Sequence, residues 1–93
     1  MKPTNLLFIN ADQHSRHVYG AYGNSVVKTP HLDGLAARGT LFANGYCPFP
    51  ICVPSRASLA TGRYAHTIGS WDNAKPYIGT EAPSWGHRLI EQG

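Results

Sequence analysis

The sequence predicts an α/β fold with a largely parallel sheet, and three features of the chain indicate it. Residues 6–9 form a continuous apolar run, Leu-Leu-Phe-Ile, which polar residues follow. Such a run is typical of a strand that is buried on both faces of a parallel sheet. Segments with helical and strand-like patterns then alternate, and residues rich in glycine and proline separate them. Because two strands cannot form a stable covered sheet, we expect the 93 residues to be the first part of a larger domain.

The first helix and the second strand are predicted from residues 29–46. Thr29 can cap a helix, Pro30 suits its first turn, and Gly39 ends it. Residues 40–46 follow, and their many β-forming side chains predict a strand. The chain thus returns towards the sheet directly after its first helix.

The second half of the chain is predicted to hold two helices and a long loop. A short helix is expected over about residues 55–61, with Gly62 as its stop. Glycines, prolines and aromatic residues in the segment 63–83 indicate a long functional loop. Ser84 is expected to cap a last helix over residues 85–92.

Composition and charge argue against several classes of protein. A hydrophobic fraction of 42% and a charged fraction of 14% indicate a globular segment rather than a disordered one. The net charge is +3, but the basic residues are scattered, so we expect no nucleic-acid partner. The run at residues 6–9 is shorter than the roughly 7–15 residues of a signal-peptide core. No stretch approaches the roughly 20 apolar residues of a membrane span, so a cytoplasmic location without membrane contact is expected.

Cys52 is the strongest candidate for a reactive group. Residues 52–56 read Cys-Val-Pro-Ser-Arg where a helix is expected to begin, and Thr-Gly-Arg follows at residues 61–63. Backbone N–H groups and the positive end of the helix dipole favour anions at such a position. A free cysteine on its own is more often a small buried residue. The coincidence of several unlike residue types favours a nucleophile that acts on an anionic ester.

Asp12 is the candidate metal ligand, and Gln13 is a second one. Both follow the predicted strand, and ligands bind at the carboxyl ends of strands in open α/β sheets. Carboxylate and amide oxygens suit a hard divalent cation, with Ca²⁺ as the first choice and Mg²⁺ or Mn²⁺ as alternatives. A capping or loop role is the alternative for Asp12.

Three further residues are candidates for contact with the substrate or its transition state. Arg56 lies one helical turn after the predicted nucleophile, where its planar cation can stabilise a developing anion. His14 shares the loop of the metal candidates, and His66 lies near the expected pocket, so both are candidates for substrate binding. Residues 71–73 and Tyr77 are candidates for a pocket wall, with packing as the alternative for the aromatic ones.

Residues 52–63 resemble the sulfatase signature C-x-P-S-R-x-x-x-x-T-G-R. The resemblance extends over nearly the whole chain, because residues 5–13, 29–39 and 83–87 also resemble sulfatase segments. It implies a place in the alkaline phosphatase superfamily, whose fold is an α/β/α sandwich around a mostly parallel sheet. Residues 1–93 are accordingly expected to be part of an N-terminal sulfatase catalytic domain.

The resemblance also implies a reaction. In sulfatases a formylglycine-generating enzyme oxidises the signature cysteine, here Cys52, to formylglycine, and it recognises the positions of Pro54 and Arg56 on the unfolded chain. One hydroxyl of the aldehyde hydrate attacks sulfur and displaces the alcohol, and the other then loses its proton and expels sulfate. The divalent cation, bound by Asp12, Gln13 and the modified Cys52, polarises the ester.

Several functions remain open at this point. The pair Asp12-Gln13 departs from the usual Asp-Asp of sulfatases and resembles the choline-sulfatase and phosphonate monoester hydrolase branches. A sulfuric ester hydrolase is therefore the leading hypothesis, and a phosphonate or phosphate ester hydrolase is the alternative. A third hypothesis is a non-catalytic remnant or anion-binding module, because the family's lysine-histidine motif and later metal ligands are absent from these residues. A thiol hydrolase with unmodified Cys52 is the fourth.

Overall fold

The structure is a computed structural model that describes residues 4–93. The chain divides into two units, one that ends at Asn44 and one that spans Gly45–Gly93. The first unit contains 3₁₀ helices at Arg16–Val18 and Gly20–Tyr22 and helix α1, Pro30–Arg38. The second contains helix α2, Cys52–Thr61, a 3₁₀ helix at Ala65–Ile68 and helix α3, Trp85–Glu91.

Helix α1 has the predicted bounds, but Thr29 does not cap it in the predicted way. The Thr29 side chain makes no capping bond. Its Oγ1 accepts a hydrogen bond from the Gly20 N–H at 2.9 Å and donates one to Asp33 Oδ1 at 2.9 Å. The same Asp33 oxygen accepts from the Ala21 N–H at 2.8 Å. The threonine therefore ties the start of α1 to the preceding 3₁₀ helix, and the capping prediction is wrong.

The two predicted strands are not formed, and residues 4–93 contain no strand. Leu6 and Ile9 are 90% and 72% exposed, so the apolar run is not buried as predicted. A strand needs a neighbour to pair its N–H and C=O groups, and the described residues offer it none. In the second predicted strand, the carbonyls of Phe42 and Ala43 accept side-chain hydrogen bonds instead.

Helix α2 begins three residues earlier than predicted. It starts at Cys52, which places the fully buried Pro54 in its first turn. Proline resists the interior of a helix, but in a first turn its missing N–H is not required. The predicted stop is confirmed, because Gly62 adopts the left-handed conformation at φ 68° and donates to the Ser58 carbonyl at 2.8 Å.

Helix α3 begins as predicted, directly after Ser84. The Ser84 hydroxyl accepts from the His87 N–H, and the His87 ring nitrogen Nδ1 accepts from the Ser84 N–H at 3.0 Å. This reciprocal pair is a capping box in which histidine takes the place of the usual Glu or Gln. The structure thus assigns His87 a capping function.

The core of the second unit is small. Ala57 of α2 packs with Ile68 and Ala82, and the half-buried Tyr77 lies against them. The Tyr77 hydroxyl donates to the Ala82 carbonyl at 2.5 Å, which favours a packing role for this ring. No helix in the described part of the chain combines the length and the apolar character that crossing a membrane requires.

Candidate active site

Cys52 is the first residue of α2, and it is exposed. The Val53 N–H donates to the side-chain oxygen Oδ1 of Asn73 at 2.9 Å, Pro54 has no N–H, and the Ser55 N–H donates to the Ile51 carbonyl. The helix start therefore offers fewer free N–H groups to an anion than its position suggested. Among the first three residues of α2, the N–H of Cys52 is the one that the described chain leaves available.

Cys52 and Arg56 lie on the same exposed face of α2. Positions four apart on a helix are neighbours on its surface. Pro54, Ala57 and Ser58 are buried on the opposite face. Burial of that face leaves Cys52 and Arg56 on the exposed side of α2. This is the arrangement that the signature predicts for a nucleophile and an anion-stabilising cation, and their chemical roles stay predictions.

Cys47 is hydrogen-bonded to Ser55 in the first turn of α2. Its thiol donates to the Phe49 carbonyl at 3.1 Å and lies 3.2 Å from the Ser55 hydroxyl. Both cysteines are free thiols. These contacts indicate a structural function for Cys47 and leave Cys52 as the nucleophile candidate.

A cavity of about 700 Å³ lies beside α2. Cys52, Arg56 and His66 do not line it, so it is not a pocket around the predicted nucleophile. The Ser58 hydroxyl is buried, and the described residues provide it with no hydrogen-bond partner. The lining residues are Gly45, Tyr46, Cys47, Pro48, Ser55, Ser58, Leu59, Gly62, Arg63 and Tyr64.

His66 lies in the same unit as Cys52, on the 3₁₀ helix Ala65–Ile68, and it is exposed. Its ring stacks on that of Tyr64, with 5.6 Å between the centroids and 12° between the planes. The stack fixes the orientation of the imidazole. Substrate binding by His66 stays a prediction.

The predicted metal and substrate residues Asp12, Gln13 and His14 belong to the other unit. Asp12 and Gln13 form a turn, in which Gln13 has the positive φ of 54° that is uncommon for any residue but glycine. The His14 ring stacks on Tyr19 at 4.3 Å and its Nδ1 is hydrogen-bonded to the Tyr19 hydroxyl at 3.1 Å. The turn thus lies directly before a histidine whose ring is held by Tyr19.

Asp12 and Gln13 are the right kind of ligands for a hard cation, but they are too few to hold one. Asp12 and Gln13 offer carboxylate and amide oxygens, which are the ligands that Ca²⁺ and Mg²⁺ take. Residues 4–93 contain no group of three or more His, Cys, Asp and Glu side chains that could hold a metal ion. Ca²⁺ takes about 6–8 oxygens, so any site built on Asp12 needs further ligands.

Comparison with known proteins decides the family. The family model "Sulfatase" matches residues 4–92. The chain belongs to the sulfatase family. The uncharacterized sulfatase YidJ of Escherichia coli is 40% identical over 73 residues, which are 78% of this chain and 15% of that protein. Human N-sulphoglucosamine sulphohydrolase is 46% identical over 70 residues, which are 75% of this chain and 14% of that protein.

A third relative, an ulvan-active sulfatase of Formosa agariphila, is 44% identical over 69 residues, 74% of this chain and 14% of that protein. The chain thus spans about one seventh of the length of these curated relatives. No solved structure matches the chain. The sulfatase family carries an alkaline-phosphatase-like fold and generally uses a metal and formylglycine, so the resemblance drawn from residues 52–63 is confirmed at the level of the family.

Asn73 makes a contact that the sequence did not predict. The sequence indicates only a candidate pocket wall for it, whereas in the structure it is hydrogen-bonded to the backbone next to Cys52. The signal for it was present, because Ile51 cannot cap a helix and Pro54 cannot donate. A remote polar side chain can then satisfy the start of α2.

Proposed function

We propose that the protein to which this chain belongs hydrolyses sulfuric esters, and that these residues supply the nucleophile segment of its catalytic domain. The observation that carries the proposal is the fold of the signature. Residues 52–61 form a helix that begins at Cys52, with Arg56 one turn later on the same exposed face. This arrangement presents a nucleophile and a permanent cation to an anionic ester.

Two groups complete the proposed chemistry. Formylglycine made from Cys52 supplies the attacking hydroxyl, and a divalent cation, with Ca²⁺ proposed first, polarises the ester when bound. The residues of this chain that would hold the cation are Asp12, Gln13 and the modified Cys52. The remaining oxygen ligands are proposed to come from other parts of the protein. Arg56 is proposed to stabilise the negative charge that builds on the sulfate oxygens.

We also propose the fold of the whole domain and a partner enzyme. The family's α/β/α sandwich with a mostly parallel sheet is proposed for the whole domain, in which the run at residues 6–9 would gain the neighbouring strands it requires. A formylglycine-generating enzyme is the proposed partner for Cys52. A cytoplasmic location stays a prediction.

One observation favours a second function within the same superfamily. Asp12 is followed by Gln13, where sulfatases usually carry a second aspartate. Replacement of a carboxylate by a neutral amide makes the donor set one charge less negative. Because the pair Asp12-Gln13 also resembles the phosphonate monoester hydrolase branch, the second candidate function is hydrolysis of a phosphonate or phosphate ester by the same nucleophile.

The test is a panel of aryl esters on the whole protein. Sulfate, phosphodiester and phosphonate esters of one phenol are compared by kcat/KM, so that the leaving group stays constant. The proposal expects the sulfate ester to be the best substrate, and it fails if sulfate is the poorest. Cys52→Ala should abolish turnover, and Cys47→Ala is the matched control because it removes the other free thiol. Peptide mass analysis of the active enzyme should find Cys52 converted to the aldehyde, whereas full activity with an intact thiol would support the thiol hydrolase.

A further inference from the structure

The start of α2 is capped by a residue that is distant from it in the sequence. The residue at its N-cap position, Ile51, makes no side-chain capping bond. A capping acceptor normally reaches the N–H groups of the second or third helical residue, and here the third is Pro54, which has none. The Val53 N–H is therefore the one donor that a cap can satisfy. Asn73, twenty residues further along the chain, accepts its hydrogen bond at 2.9 Å.

The capping side chain is itself held in place. Asp72 Oδ1 accepts hydrogen bonds from the N–H groups of Ala74 and Lys75, at 2.9 and 3.2 Å. This turn encloses Asn73 and limits the motion of its backbone. The chain on either side of the turn enters the core through Ile68 and Tyr77. The acceptor of the Val53 N–H is thus anchored at both ends of its loop.

We propose that Asn73 is a positioning residue for the reaction, because it fixes the first turn of α2 and with it the direction of the Cys52 side chain. Val53 directly follows the nucleophile, so a shift of its peptide group rotates the residue that attacks the ester. A misplacement of about 1 Å can lower a rate about 100-fold. The inference rests on the proposed function, since it assigns Asn73 a role in catalysis through Cys52.

Three variants of the whole protein test it. Asn73→Ala removes the acceptor, and we expect kcat for the best aryl ester to fall by roughly 10- to 100-fold with KM changed less than about threefold. Asn73→Asp keeps an oxygen acceptor at the helix start, where a carboxylate also caps well, so it should restore most of kcat. Asn24→Ala is the matched control, because Asn24 Oδ1 also accepts backbone hydrogen bonds, from the N–H groups of Val26 and Val27, outside α2. It should leave kcat unchanged.

Two further readouts separate this inference from failure of the proposed function. Each rate is divided by the fraction of Cys52 that has been converted to formylglycine, as measured by peptide mass. A defect in this conversion is then not mistaken for a defect in catalysis. Hydrogen exchange of the Val53 N–H should accelerate in Asn73→Ala and stay slow in Asn73→Asp, whether or not any ester is turned over.

The inference is overturned if hydrogen exchange of the Val53 N–H is not faster in Asn73→Ala than in the wild-type protein. It is also overturned if Asn73→Asp loses as much kcat as Asn73→Ala, since an oxygen acceptor at the start of α2 would then not be what the reaction requires. If the wild-type protein cleaves no ester, the proposed function fails and the positioning inference fails with it. In that case, exchange at Val53 still decides whether Asn73 caps the helix.

Discussion

The 93 residues, produced alone, should not unfold cooperatively. The accessible surface of the chain is 7875 Å². Two separate compact proteins, each with half of its mass of 10.1 kDa, would together expose only about 6,400 Å². The fully unfolded chain would expose about 14,600 Å², so folding buries a little under half of that surface. Compact domains of about 60 residues bury about 60% and are already marginal.

The residues that contribute this excess of exposed surface are apolar. Leu6 and Ile90 are 90% and 80% exposed, while the buried cluster consists of Ala57, Ile68 and Ala82. Two alanines and one isoleucine remove little apolar surface from water, and the cost of ordering the backbone is about 1–2 kcal/mol per residue. The isolated chain should therefore gain too little from burial to sustain a cooperative fold.

The assay is a urea titration of the isolated chain, followed by far-UV and near-UV circular dichroism. We expect a gradual loss of helix signal, a weak near-UV signal from the exposed Trp71 and Trp85, and no release of sulfate from an aryl ester. The whole protein is the control and should show a sharp transition. Coincident sigmoidal transitions by both probes would refute the reasoning from surface area. Sulfate release by the purified chain would refute the expectation that further metal ligands are required.

Three other predictions concern the whole protein. Arg56→Lys keeps the charge but loses the planar fork, so kcat should fall about 10-fold, and Arg56→Ala should lower it by about 10²–10³, as steady-state kinetics can measure. Gly62→Ala should lower the free energy of unfolding by about 1 kcal/mol, because residue 62 has a positive φ. Gly34→Ala, inside α1, is the control and should not lower it. Denaturant titration measures the free energy of unfolding of both variants. Ser84→Ala breaks the capping box of α3 and should cost about 1 kcal/mol by the same titration, and no loss would contradict the cap.

The helix bounds were largely predictable because their signals are local. Pro30, Gly39, Gly62 and Ser84 act on backbone groups within four residues of themselves, so the sequence around each is sufficient. The strands at residues 6–9 and 40–46 were not predictable in this way, since a strand exists only where another strand lies beside it. The apolar run at residues 6–9 indicates what that segment would bury, not whether a partner is present.

The sequence by itself determined the sulfatase family, the nucleophile candidate Cys52 and the placement of Arg56 one turn later. These follow from residue identities at fixed spacings along one helix. The tertiary structure alone decided which N–H groups at the start of α2 stay free, because Asn73 reaches Val53 from twenty residues away. It likewise decided that Thr29 binds Gly20 and Asp33 rather than capping α1. Both are contacts between segments whose approach depends on packing, and no local pattern encodes the distance between them.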